Sequence, residues 1–172
     1  MSSRISLDEL LQSRDRRWAL ERKLIAENEG KTEIVLTVVM PGSVKRNERS
    51  LIVANAAVEA LCQELGCEPT IIKDLKTGFE AYWLVDGNAK ELKQRTCRIE
   101  ESHPLGRLFD IDVLLPDATP ISRQSIGLSP RRCLVCNREA RFCMRNHSHT
   151  QEEIQEKINQ LIKSFQLSNS TH

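Results

Sequence analysis

The feature that most constrains the fold is the run Phe109-Asp110-Ile111-Asp112-Val113, in which acidic and large apolar residues alternate. A period of two belongs to a β-strand, whose successive side chains point to opposite faces. Asp110 and Asp112 therefore project together from one face, while Phe109, Ile111 and Val113 fill the other. Two carboxylates this close repel each other unless a cation joins them or a proton neutralises one. The pair points to a divalent ion, and hard oxygen donors suit Mg²⁺. Taken alone, an Asp-x-Asp fits a merely solvated strand face equally well, so its surroundings must decide.

Directly upstream, Ser102-His103-Pro104-Leu105-Gly106-Arg107 reads as a tight loop that delivers His103 and Arg107 to one end of the strand. Gly106 would admit a ligand close to the backbone, Arg107 would offer a planar fork for phosphate oxygens, and His103 could donate to phosphate or relay a proton. Further guanidinium groups come from Arg14, Arg16 and Arg17, from Arg123, and from Arg131-Arg132. A polyphosphate would need such a set converging in space, whereas any one of these arginines alone reads as a solvated surface charge.

The 25 basic and 24 acidic residues leave a net charge of +1. That balance argues against nucleic acid or a membrane surface as partner, since both demand a strongly basic patch. No apolar run reaches membrane-spanning length and the N-terminus has no signal-peptide core. Six unevenly spaced cysteines without an export signal imply reduced thiols in a cytoplasmic protein. A length of 172 residues fits a single domain, 1–172, with a proper core.

The pattern predicts a helix from a capping box at Ser6 and Glu9 to about Asn28, and a buried strand over Ile34–Met40. A second helix starts at Asn47 and closes at Gly66. A strand follows over 80–85, then a helix over 89–101, the carboxylate strand over about 108–115, and a short hairpin partner near 121–123. Thr150 and Glu153 open a last amphipathic helix, with a frayed tail from Leu167. The expected class is α+β, a mixed sheet packed by helices, with a Cys- and Arg-rich loop over 130–150.

Within that loop Cys133, Cys136, Cys143 and His149 supply three thiols and an imidazole at a spacing that suits a structural Zn²⁺ site, with His149 preferred to His147 for reach. Free buried thiols are the plainer alternative. A zinc-stabilised binding module without catalysis is accordingly the rival to an enzyme.

Three stretches together resemble the apo-citrate lyase phosphoribosyl-dephospho-CoA transferase family, the holo-citrate lyase synthases. They are Leu10–Arg17, Ser102–Val113, and Pro130–Cys136 with Cys143 and His149. The resemblance implies a nucleotidyltransferase reaction. The donor 2′-(5″-triphosphoribosyl)-3′-dephospho-CoA would give its phosphoribosyl-dephospho-CoA part to a serine of the apo acyl-carrier (gamma) subunit of citrate lyase, and pyrophosphate would leave. On this reading Asp110 and Asp112 hold Mg²⁺, and the one less tightly bound to metal accepts the serine proton. His103, Arg107 and the arginines of the first helix clamp the triphosphate, joined by Gly106, Arg131 and Arg132 at the substrate. Nucleotidyltransferases with an Asp-x-Asp strand commonly carry a third carboxylate on a later strand. Here Glu100, Glu101 and Asp117 are the candidates, and their spacing selects none.

Overall fold

A computed structural model describes residues 3–170. Helix α1 (Leu7–Glu27) precedes β1 (Thr32–Val38), α2 (Glu48–Leu65), β2 (Ile71–Leu75), β3 (Gly78–Val85), α3 (Ala89–Ser102) and β4 (Phe109–Leu114). Two helices follow, α4 (Ala140–Arg145) and α5 (Gln151–Asn169). Strands pair in the order β2-β3-β1-β4, which for a β-α-β-β-α-β succession is the split βαβ arrangement. The expected α+β class holds. The expected mixing of parallel and antiparallel pairs does not, because all three strand pairs are antiparallel.

Local chemistry sets the boundaries. Ser6, Asn47 and Thr150 each close a capping box at a helix start, and Gly66 ends α2 with φ 72°, a left-handed geometry that glycine adopts without steric cost. One face of the sheet, through Ile34, Leu36, Trp83, Ile111 and Val113, buries against α2, α3 and α5 in the main core. The other face carries a smaller cluster in which Leu24, with Leu20 and Ile25, seats α1 on Val35, Tyr82 and Leu114. Beyond that seat the face is polar and open.

Three expectations change. Strand β2 was not foreseen; it is a half-exposed edge strand, and its Lys73-Asp74 centre hides the period. The hairpin partner near 121–123 reduces to a bridge from Leu114 to Pro120 and the Ile121 amide donating to the Val113 carbonyl at 2.9 Å. Pro120 has no N–H for the ladder, and Arg123 is drawn away to Glu100 and Glu101. The tail does not fray at Leu167, since α5 stays helical to Asn169; Thr171 and His172 lie outside the described residues.

Candidate active site

Strand alternation decides the site. Phe109, Ile111 and Val113 are buried, while Asp110 and Asp112 stand on the opposite face and line a cleft of about 850 Å³. Arg14 and Arg17 of α1 and the loop residues Arg131 and Arg132 line the same cleft. Asp110 is half exposed, with Thr37 Oγ1 at 3.4 Å and Arg131 Nη1 at 3.5 Å, both long contacts. Asp112 sits deeper, and its carboxylate, unlike its backbone in the ladder with Val35, has no hydrogen-bond partner among the described residues. Burial, and then the neighbouring Asp110, push its carboxyl above the usual carboxylate range. Two converging carboxylates with little internal satisfaction form a donor set suited to a hard divalent cation.

A third carboxylate comes from an earlier strand. In the register Thr37 lies opposite both Asp110 and Glu80, so Glu80 shares the open face with the aspartates. It is almost fully buried, accepts from the Tyr82 hydroxyl at 2.6 Å and pairs with Arg17 Nε at 3.4 Å. The period of two at Glu80 and Tyr82, matching that at Asp110 and Asp112, was the signal that could have found it. Under α1 two more acids meet this face. Glu33 is buried with neither oxygen partnered, and burial followed by Glu21 pushes its pKa up to about 8. Burial likewise lifts Glu21 to about 7 against the pull of Arg17, with Asp112 and Glu80 adding to the rise.

Other candidates are placed elsewhere. His103 caps the end of α3, where its Nδ1 accepts from the Leu105 amide at 3.0 Å and its ring lies against Phe109 and Phe165. Phe109 faces the main core, so His103 is on the far side of the sheet from the carboxylates. Burial holds it below the ordinary histidine pKa despite Glu59. Gly106 approaches protein rather than ligand, since a Cβ there would meet the Glu100 carbonyl oxygen at 2.3 Å. Arg16 is exposed and is not among the residues lining the cleft; Arg17, one position on, is.

The remaining arginines spend donors on the backbone. Arg107 bonds the carbonyls of Arg132, at 2.6 Å, and Cys133. Arg131 reaches back to those of Arg107, at 2.9 Å, and Phe109. Arg132 donates to Asn137 at 2.7 Å. These bonds staple the Cys-rich loop to the entry of β4 and leave part of each guanidinium facing the cleft. Of the candidate third ligands, Glu100 has both oxygens engaged, by the Ile111 amide and by Arg123. Glu101 also pairs with Arg123, and Asp117 caps its own turn at Thr119.

Beside the cleft Cys133, Cys136, Cys143 and His149 gather, with their ligand atoms all within 4.8 Å of one another. Sγ of Cys136 and Sγ of Cys143 are 3.5 Å apart, near the roughly 3.8 Å edge of a tetrahedron built on Zn–S bonds of about 2.3 Å. His149 Nε2 is buried and unpartnered, and a bound ion would satisfy it. Burial raises the Cys133 thiol, but the amides of Cys136 and Val135, with the Cys143 and Cys136 thiols, outweigh it and bring the pKa below the ordinary value. This group could hold a metal ion.

A split βαβ sheet bearing paired carboxylates, arginines around them and a thiol–imidazole cluster at the rim defines an α+β protein with one cleft lined by charges of both signs. Residues 5–165 match the family model described as apo-citrate lyase phosphoribosyl-dephospho-CoA transferase, and the chain belongs to that family. It is 39% identical over 167 residues to Protein CitXG of Haemophilus influenzae, covering 94% of this chain but only 36% of that longer protein. It is 36% identical to the Vibrio cholerae protein named "Probable apo-citrate lyase phosphoribosyl-dephospho-CoA transferase", covering 94% of this chain and 93% of that one. The Escherichia coli apo-citrate lyase phosphoribosyl-dephospho-CoA transferase is 33% identical over 170 residues, with coverage of 96% and 92%. Among the described residues no helix is long and apolar enough to cross a membrane.

Proposed function

We propose that this chain is a cytoplasmic nucleotidyltransferase that moves the phosphoribosyl-dephospho-CoA group from 2′-(5″-triphosphoribosyl)-3′-dephospho-CoA to a serine of the apo acyl-carrier subunit of citrate lyase. The observation that carries this reading is the meeting of Asp110 and Asp112 with Arg14, Arg17 and Arg131 in one cleft of a chain from this family. The serine oxygen forms a bond to the phosphorus next to the ribose. The bond from that phosphorus to the bridging oxygen breaks, and pyrophosphate leaves.

Asp110 and Asp112 would hold Mg²⁺, which when bound neutralises charge on the phosphoryl oxygens and the departing pyrophosphate. One carboxylate of the pair takes the proton of the serine hydroxyl. Arg14 and Arg17, with the cleft-facing parts of Arg131 and Arg132, bind and orient the triphosphate, each planar fork fixing direction as well as charge. Cys133, Cys136, Cys143 and His149 would hold a structural Zn²⁺, which would tie together the loop that carries Arg131 and Arg132.

Mass spectrometry of the apo acyl-carrier subunit, incubated with donor and Mg²⁺, tests the reading. A mass increase equal to the prosthetic group supports transfer, and its absence favours a zinc-stabilised binding module. Asp110→Asn should abolish transfer with the circular-dichroism spectrum unchanged; retained turnover would rule the scheme out.

A further inference from the structure

Ile111, the residue between the two aspartates, is gripped by its backbone from outside the sheet. Among the strands of the described residues β4 pairs only with β1, and before the contacts of Pro120 and Ile121 at its end its other side is a free edge. On that side Lys93 Nζ donates to the Ile111 carbonyl at 2.8 Å, and the Ile111 amide donates to Glu100 Oε1 at 3.0 Å. Both side chains come from one face of α3, seven residues apart, and each is only 5% exposed. Glu100 is held in turn by Arg123, whose other nitrogen binds Glu101 at 2.7 Å.

Covering an edge does not require this arrangement, since a neutral side chain could take either bond and would avoid the cost of burying a charge. The charged pair instead acts on the residue of β4 whose neighbours on both sides, Asp110 and Asp112, face the cleft. With its N–H and its carbonyl both pinned, the two peptide units that meet at Ile111 cannot rotate, and rotation there would swing the flanking side chains. Lys93 and Glu100 also line the cleft wall and bear electrostatically on Asp112.

We propose that Lys93 and Glu100 are positioning residues, which lock the two peptide units between Asp110 and Asp112 and so fix the direction of both carboxylates toward a divalent ion. This rests on the reading of the two aspartates as the metal-holding pair. The outer hydrogen-bonding partners of metal ligands typically govern affinity by 10- to 100-fold.

The test is Mn²⁺ binding by electron paramagnetic resonance on the full-length chain, alongside transfer kinetics. Lys93→Met removes a positive charge beside the site, so a purely electrostatic role predicts tighter Mn²⁺ binding. Positioning predicts the reverse, a Kd raised about tenfold or more, with kcat falling and KM for the donor little changed. Glu100→Leu should do the same, and Glu100→Gln, which keeps an acceptor for the Ile111 amide, should recover most of the loss. Ile162→Val, a core truncation, should lower stability without moving Mn²⁺ affinity.

Folded Lys93→Met with unchanged or tightened Mn²⁺ binding overturns the proposal, as does Glu100→Gln behaving like Glu100→Leu. Should Glu100→Leu fail to fold, Lys93→Met and Glu100→Gln decide. A parent protein that binds no Mn²⁺ would sink the metal reading by itself, and the kcat and KM comparison would still judge the positioning.

Discussion

Glu33→Gln should stabilise this protein, by an amount that grows with pH. Glu33 is 1% exposed, has no partner for either oxygen, and has its pKa raised from 4.5 to about 8. The folded state therefore keeps a proton that the unfolded chain releases, and stability falls as pH rises from about 4.5 to about 8, then levels off. Each unit of difference is worth about 1.4 kcal/mol. The penalty is thus small at pH 5, at about 1 kcal/mol, and reaches about 3 kcal/mol at pH 7. Glutamine keeps the shape and cannot ionise, so it removes the pH-dependent part. Its buried amide lacks partners as the protonated acid does, which shifts the absolute gain by about 1–2 kcal/mol but not its slope. Urea denaturation of parent and variant at pH 5, 6, 7 and 8 measures the difference. A gain that is flat across this range, or one that shrinks with pH, would refute the assignment of a neutral Glu33 beneath α1.

Purified, reduced protein should contain about one zinc per chain by metal analysis, and Cys143→Ser should lose it along with several degrees of Tm; zinc-free parent protein would leave the group as free thiols. Gly106→Ala should lower the urea-derived stability by at least about 1–3 kcal/mol, because the added methyl meets helix carbonyls at 2.3 Å and 2.7 Å rather than a flexible side chain; an unchanged midpoint would show that the turn can relax. Arg17→Met should cost about 3 kcal/mol by stranding Glu80 on the sheet, and adding Glu80→Gln should restore part of it. Additive effects in that double-mutant cycle would mean the pair is not coupled.

Much of the fold was readable because its signals are local. The capping boxes at Ser6 and Thr150, the Asn47 cap with Gly66, and the alternation in Phe109–Val113 each fix an element from adjacent residues. Edge strand β2 was not readable, since Ile71 and Ile72 stand side by side instead of alternating with polar residues, and none of its five positions is fully buried. The site divides in the same way. Asp110 and Asp112 follow from strand periodicity, and the thiol–imidazole group follows from spacing. The period of two marks Glu80 but not which strand it will face, and Lys93 and Glu100 depend on which helix covers the edge, which a linear pattern does not carry. His103 misled for the complementary reason: it is near the aspartates in sequence, but one step along a strand reverses the face. Gly106 was rightly read as a place of close approach, yet the approaching group is the end of α3.

Helix α1 is made first, but the surface it rests on is made late. Its seat includes Tyr82 and Leu114, which lie far along the chain, and it brings Arg14 and Arg17 to carboxylates that are farther along than Tyr82. During synthesis this amphipathic segment has only part of its seat, Val35 and Tyr82, until β4 adds Leu114. The half of the cleft that carries Asp110 and Asp112 is therefore the last part of this face to assemble, and a chain cut short before β4 would leave Arg17 with Glu80 but without the paired aspartates.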